Sequence, residues 1–368
     1  MKNKSSLKVM VGLLAAIGSA AASAQTSVQV YGIIDAALER VTNTAPGGES
    51  LTRMPNLSGG MMPSRIGFRG SEDLGGGLKA IFALENGFGP DSGTVNQGGR
   101  LFGRQAWVGL SGDWGALTIG RTYSMLFLSQ FDVDIIGPSQ FSIGSLDLYL
   151  PNNRNDNSIS YKGTFSGMTV GATYSLGRDA SNAGGPSATN CGGENAGDDQ
   201  ACRAWSAMLR YDAKTWGAVV AYDTYNGGVG AAAPFSPTRS DLSDSRLNVG
   251  GYAKFGPLKV SGGHLRRDNE GNAFSPRSHL NYLGAAYDLT SQFTIDGQVA
   301  RLDFRHTAND TNMVVLRGAY AFSKRTTVYG MVGKVNNSGN AAVALSAGTT
   351  VLAGGSQNGV MTGIRHTF

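Results

Sequence analysis

The stretch "RLNVGGYAKF" (246–255) decides the fold. Successive side chains of a strand point to opposite faces. Leu247, Val249, Gly251, Ala253 and Phe255 therefore share one face, and Arg246, Asn248, Gly250, Tyr252 and Lys254 share the other. One face is apolar; the other is polar, charged or small. The same division recurs along the chain. "GLKAIFALE" (77–85) sets Leu78, Phe82 and Leu84 against Lys79 and Glu85. "AWSAMLRYD" (204–212) sets Trp205, Leu209 and Tyr211 against Ser206, Met208 and Arg210, and "LRGAYAF" (316–322) sets Leu316, Tyr320 and Phe322 against Arg317 and small residues. The chain ends in this pattern too: in "GIRHTF" (363–368), Ile364, His366 and Phe368 oppose Arg365 and Thr367. Such a face needs either a protein core or a bilayer to cover it.

The connections come in two kinds. Short turns such as "GDWG" (112–115), "TFSG" (164–167), "KFGP" (254–257) and "DLTSQ" (288–292) alternate with long polar links near 43–62, 87–99, 124–156, 177–203, 226–245, 268–278, 305–311 and 337–357. Seven short turns and eight long links join sixteen strands, the first near 28–41 and the last near 359–368. An even strand number with short turns at one end and long loops at the other describes an up-and-down barrel. Sixteen strands leave an interior too wide for side chains to fill. The charged face then meets water inside and the apolar face meets lipid, and a closed barrel satisfies every backbone group there. The expected fold class is all-β: a 16-stranded antiparallel transmembrane β-barrel. Tyr174, Tyr211, Tyr222, Phe255, Tyr320 and Phe322 fall near strand ends, as an interfacial aromatic girdle requires.

The N-terminus places the chain outside the cytoplasm. Lys2, Lys4 and Lys8 precede an apolar run, Val9 to Ile17, and Ala22-Ser23-Ala24 closes it, the pattern of a cleaved signal peptide over 1–24. The barrel would then occupy 25–368. The leader holds three of the 31 Lys+Arg, so the +5 formal charge falls to about +2 without it. No basic tract with interleaved aromatics supports nucleic-acid binding. Gly, at 54 of 368 residues, is about twice its usual frequency and is scattered without a collagen period. The two cysteines, Cys191 and Cys202, lie in one Gly- and Asp-rich loop; past a signal peptide they are expected to form a disulfide.

No enzyme signature stands out. His264, His279, His306 and His366 lie beside no Ser motif, no G-x-S-x-G occurs, and "GVGAAA" (228–233) opens no βαβ unit. No His/Cys cluster suggests a metal, and no cofactor is expected. The expected class is therefore a channel; the alternatives are a substrate-specific channel, for which no ladder of lumen aromatics or arginines stands out, and a surface adhesin or receptor built on the Gly/Ser/Asn-rich loops 178–203, 226–245 and 337–357.

The order and spacing of "VQVYGIIDAALE" (28–39), "SRIGFRGSEDLGGGLKAIFALE" (64–85), "GRQAWVGLSGDWGALTIGR" (103–121), "NNRNDNSISY" (152–161), "AFSKRTTVYG" (321–330) and the final "GIRHTF" resemble a general trimeric porin of the Gram-negative outer membrane, of the beta-proteobacterial type. The resemblance spans the mature chain. It implies short periplasmic turns, long external loops, a homotrimer among outer-membrane lipid and lipopolysaccharide, and diffusion of ions and small hydrophilic solutes. It also implies that the barrel-insertion machinery reads Phe368.

Link 124–156 is more apolar than an exposed loop should be. Phe127, Phe131, Ile135, Ile136, Phe141, Ile143, Leu146 and Leu148 need partners. A fold over the barrel mouth or a subunit contact would also cover them; the inward fold against the wall is the expectation, and the resemblance implies it for the third external loop. Asp132, Asp134 and Asp147 would form the acidic side of the constriction. Arg65 and Arg69 share the face opposite Ile66 and Phe68. The resemblance places arginines of the eyelet at Arg65, Arg104 and Arg154. Arg stays charged in a crowded site, and opposed charge rims control which ions pass. Four basic candidates against three acidic ones suggest a mild anion preference. Arg121 shares parity with the outward Leu117 and Ile119, which suggests a subunit interface for it.

Overall fold

A computed structural model describes residues 27–55, 59–179, 190–231, 237–272 and 276–368; the 1–24 leader lies outside the described residues. The strands are β1 (Ser27–Val41), the short β2 (Leu51–Arg53), β3 (Arg65–Gly75), β4 (Leu78–Gly87), β5 (Gln105–Gly112), β6 (Gly115–Tyr123), β7 (Arg154–Phe165) and β8 (Met168–Gly177). They continue with β9 (Ala204–Asp212), β10 (Trp216–Asn226), β11 (Ser243–Phe255), β12 (Leu258–Asn269), β13 (Arg277–Asp288), β14 (Phe293–Phe304), β15 (Asp310–Ala321), β16 (Thr326–Asn337) and β17 (Ser356–Thr367). From β3 onward each strand pairs antiparallel with the next, and β1 pairs with both β3 and β17. The result is a closed barrel of sixteen antiparallel strands, with β2 as a flap on the upper part of β1. No helix among the described residues is long and apolar enough to cross a membrane.

The alternation seen in the sequence is the in-and-out alternation of this wall. Val249, Phe255, Leu316 and Phe322 are 49%, 64%, 52% and 64% exposed on the outside. Their neighbours Arg246, Asn248, Arg317 and Ala319 are buried inside. Hairpin turns are tight; Ser166 and Gly167 both take positive φ, 50° and 84°, the backbone a two-residue turn needs to match strand twist. Trp205 and Tyr222 pack at 5.0 Å near the loop ends, and Tyr211 and Trp216 at 5.4 Å near the turn ends. The C-terminus closes the seam: the Phe368 N–H donates to the Gly32 carbonyl, and the Gly32 N–H to the Phe368 carbonyl, each at 3.1 Å.

The third external loop, L3 (124–153), folds into the lumen. It contains two short helices, α1 (Met125–Ser129) and α2 (Ile143–Leu146), each N-capped by a serine: Ser124 accepts from the Phe127 N–H and Ser142 from the Gly144 N–H. Leu126, Ile136, Phe141, Ile143 and Leu146 bury against Leu265, Leu280, Met313, Val315, Met331 and Met361 of the wall. Each such side chain contributes about 1.5–3 kcal/mol when buried. Wall glycines make the seat. A Cβ at Gly359 would sit 2.5 Å from the Phe141 ring, and one at Gly250 3.3 Å from Val133. Part of the glycine excess is thus room for L3. Phe131 departs from expectation: it stays 46% exposed, facing the remaining opening.

L8 (338–355) is an external loop, and its middle tucks into the mouth. Leu345 is fully buried beside Phe141, and the Ser346 hydroxyl donates to Glu39 at 2.9–3.0 Å.

Candidate functional site at the pore constriction

Five adjacent strands present the basic side. Arg65 begins β3, Glu85 stands near the end of β4, Arg104 immediately precedes β5, Tyr123 ends β6 and Arg154 begins β7. Antiparallel register brings them together: Glu85 lies opposite Gln105, next to Arg104, and Tyr123 lies opposite Arg154. Arg104 Nε donates to Glu85 at 2.6 Å, and Arg65 Nε lies 3.6 Å from the other carboxylate oxygen. The hydroxyls of Tyr31 and Tyr123 donate to the same carboxylate at 3.0 and 3.2 Å. The Arg154 guanidinium lies over the Tyr123 ring at 4.8 Å, and that ring stacks on Phe127 at 4.2 Å. Two guanidiniums, those of Arg65 and Arg104, therefore hold one carboxylate, and the third, that of Arg154, is buried over the Tyr123 ring beside them.

The opposing side is L3. A cavity of about 150 Å³ separates Arg65, Glu85, Arg104 and Tyr123 from Phe127, Phe131, Pro138 and Pro151. The loop face nearest the arginines is apolar. The three L3 aspartates lie elsewhere. Asp132 pairs with Arg210 at 2.7 Å and Lys259 at 2.9 Å. Burial opposes its charge, but those two cations hold its carboxyl below the usual range. Asp147 is buried and bound by Arg246 at 2.8 and 3.2 Å. Burial alone would raise it; Arg246 and Arg267 bring it down to about 2. Asp134 has no ion pair within 4 Å among the described residues, and burial pushes it up to about 7.

The remaining candidates are placed as follows. Arg69 faces inward further along β3, donating to Gln29 at 2.7–2.9 Å and covering the Tyr31 ring at 5.1 Å. Arg121 keeps its outward register opposite Ala106, where the facing β7 is bulged at Asp156 and Asn157, and pairs with Asp156 at 2.5 Å. Its partner is thus within the chain. Cys191 and Cys202 are joined by a disulfide that clips L4 (178–203), under Gly228 of the next loop.

A family model described as Gram-negative porin matches residues 11–340. The chain belongs to the Gram-negative porin family. This porin is 30% identical to the outer membrane porin protein 32 of Delftia acidovorans, over 98% of its own length and 99% of the relative's. It is also 30% identical to an outer membrane porin protein of Bordetella pertussis, over 84% and 89% of the two chains. Its fold matches a structure titled anion-selective porin from Comamonas acidovorans with a TM-score of 0.75, at 26% identity, covering 94% of this chain and 100% of that one. The porin resides in the outer membrane and passes ions and small hydrophilic solutes by diffusion through its wet lumen.

Sequence reasoning missed Glu85 and Tyr123 as parts of this site. Glu85 was visible as an acid on the inward face of β4, but the convergence of Arg65 and Arg104 on it needs the cross-strand register. It likewise did not single out Arg246, Arg210 and Lys259 as the partners of L3, because each pair spans 78 to 127 residues of sequence.

Proposed function

We propose that this porin prefers small anions, and that Arg65, Arg104 and Arg154 supply the preference. One observation carries the reading: Arg65 and Arg104 line the narrow passage around the single carboxylate of Glu85, with Arg154 buried against the Tyr123 ring, while the wall opposite is apolar. Low-dielectric walls focus such an excess of charge along the path of an ion. The L3 aspartates weigh little against it. Asp132 and Asp147 are matched by cations, and Asp134 is only partly ionised near neutral pH. The likeness to a porin titled anion-selective supports the same direction. Asp132 and Asp147 act in this reading as loop anchors more than as a rim, Asp134 buries its Oδ1 within the loop, and Arg69 adds positive charge toward the periplasmic side.

The proposal extends to the assembly. The porin forms a homotrimer among outer-membrane lipid and lipopolysaccharide, and the insertion machinery recognises its terminal Phe368. The chain acts as a channel and not as an enzyme.

Zero-current potentials of variants test the charge assignment. Glu85→Gln should increase anion preference, and Arg65→Gln should decrease it, with both proteins still heat-modifiable. Unchanged potentials in both variants would remove this cluster from the selectivity mechanism.

A further inference from the structure

We propose that the outward face of β13–β16 binds the phosphate of an outer-leaflet glycolipid, held by Arg301 and Lys334. The proposal rests on the lipopolysaccharide partnership above and gives it a site. Register sorts the outward side chains into rows. Arg301 lies opposite Asn281 and Asn312, and Asn312 opposite Asn336. One pleat nearer the periplasm, Leu283, Val299, Val314 and Lys334 form the next row. Below that come Gly297, Leu316 and Val332. The first two rows enclose a groove of about 500 Å³.

Lys334 is the informative residue. It stands in a row otherwise made of exposed Leu and Val on the lipid side, and it makes no ion pair within 4 Å among the described residues. A cation on the lipid face of a barrel is unfavourable to a degree set by its depth, and a lysine there reaches toward the headgroups. An anion at the level of the row above would meet both that ammonium and Arg301. Arg301 is shared with Asp310 at 2.9 Å but remains 57% exposed at its side chain. Over the loop ends of β12–β15 and at the start of the β14–β15 link lie Arg266, Arg277 and Arg305, with Asp268 and Asp303. With Arg301, Lys334 and Asp310, five cations meet three carboxylates, so the band is net positive.

The chemistry fits one occupant. Acyl chains lie on Leu283, Val299 and Val314, a phosphate monoester sits between Arg301 and Lys334, and the amides of Asn281, Asn312 and Asn336 meet sugar hydroxyls. The groove lies on the external-loop side, and a row of three amides suits a phosphorylated sugar better than a glycerol headgroup.

The test is native mass spectrometry of the detergent-purified porin, titrated with diphosphorylated lipid A, with the same lipid stripped of both phosphates, and with phosphatidylglycerol. Diphosphorylated lipid A should be retained over the other two. Lys334→Gln and Arg301→Gln should each weaken retention about fivefold, in line with the worth of one basic residue at a charged membrane surface. Lys334→Arg should restore it, and single-channel conductance should match wild type throughout. Full retention by both Gln variants would place the lipid elsewhere and leave the partnership standing. Equal retention of the stripped lipid, or of phosphatidylglycerol, would overturn the phosphate or glycolipid assignment. No retention of lipid A by wild type would overturn the partnership itself.

Discussion

Asp147 of L3 is held by Arg246 of β11 through two hydrogen bonds, 2.8 and 3.2 Å long, with the Tyr149 ring 4.0 Å from the same guanidinium. Both charged groups are buried, at 9% and 1% exposure. This pair fastens one end of the loop. Lower on the wall, the Arg317 side chain donates to the Ile136 carbonyl at 2.9 Å and the Ser261 hydroxyl to the Val133 carbonyl at 2.8 Å. The pore's width therefore depends on polar anchors as well as on apolar packing.

Arg246→Ala should loosen L3. Removing one partner of a buried pair costs about 3–5 kcal/mol, and a double change, Asp147→Asn with Arg246→Met, should cost less than the single one. Open-channel noise and thermal unfolding check this. The carboxyl of Asp147 is depressed to about 2, so its contribution is complete above the unfolded value of about 3.9 and fades as pH falls toward the folded one. Added channel noise is expected only in strong acid.

Asp134 has the opposite sign. Its raised carboxyl, about 7, means that ionisation opposes the folded loop, so the loop becomes less stable as pH rises between the unfolded and folded values. Asp134→Asn should remove this dependence. The variant should match wild type near pH 4 and be the more stable near pH 8, the difference growing by about 1.4 kcal/mol per pH unit between the unfolded and folded values. Thermal unfolding at the two pH values is the check.

Shortening L8 across 342–349 should raise single-channel conductance. This segment bounds a cavity of about 300 Å³ with Asp147, Tyr149, Arg246 and Arg267 at the mouth. Its Ala347 carbonyl accepts from Gln140 of L3 at 2.6 Å and from Arg53 at 2.7 Å. Ser346→Ala should leave Glu39 short of a donor and destabilise the barrel by about 1–3 kcal/mol, measured by heat-modifiability.

Replacing both cysteines by serine should leave conductance and ion preference unchanged, because the disulfide lies in L4 and lines neither side of the constriction. Protease sensitivity of L4 should rise. The closed loop spans eleven residues of separation, for which a crosslink stabilises by about 2–4 kcal/mol.

The barrel was legible because each strand carries its own signal. The alternation in "RLNVGGYAKF" and the spacing of turns are local, and strand number followed from counting links. L3 was legible through an excess of apolar residues that no exposed loop retains. The charge arrangement was not. Asp147 reads as an acid available to the pore until Arg246, far along the chain, is placed beside it, and Glu85 reads as one wall charge until register gathers Arg65 and Arg104 around it. L8 escaped for a similar reason: its composition is that of an exposed loop, and only Leu345, seated beside Phe141, reveals the inward turn. Arg121 needed the bulge of β7 at Asp156 and Asn157, which brings its partner Asp156 beside it.

The most direct test of the central claim is the zero-current potential of single wild-type channels in a planar bilayer under a KCl gradient. The arginine cluster around Glu85 is expected to give a potential of the sign set by chloride passing faster than potassium. A potential of the opposite sign would show that the L3 carboxylates govern the passage, and would contradict the assignment of Arg65, Arg104 and Arg154.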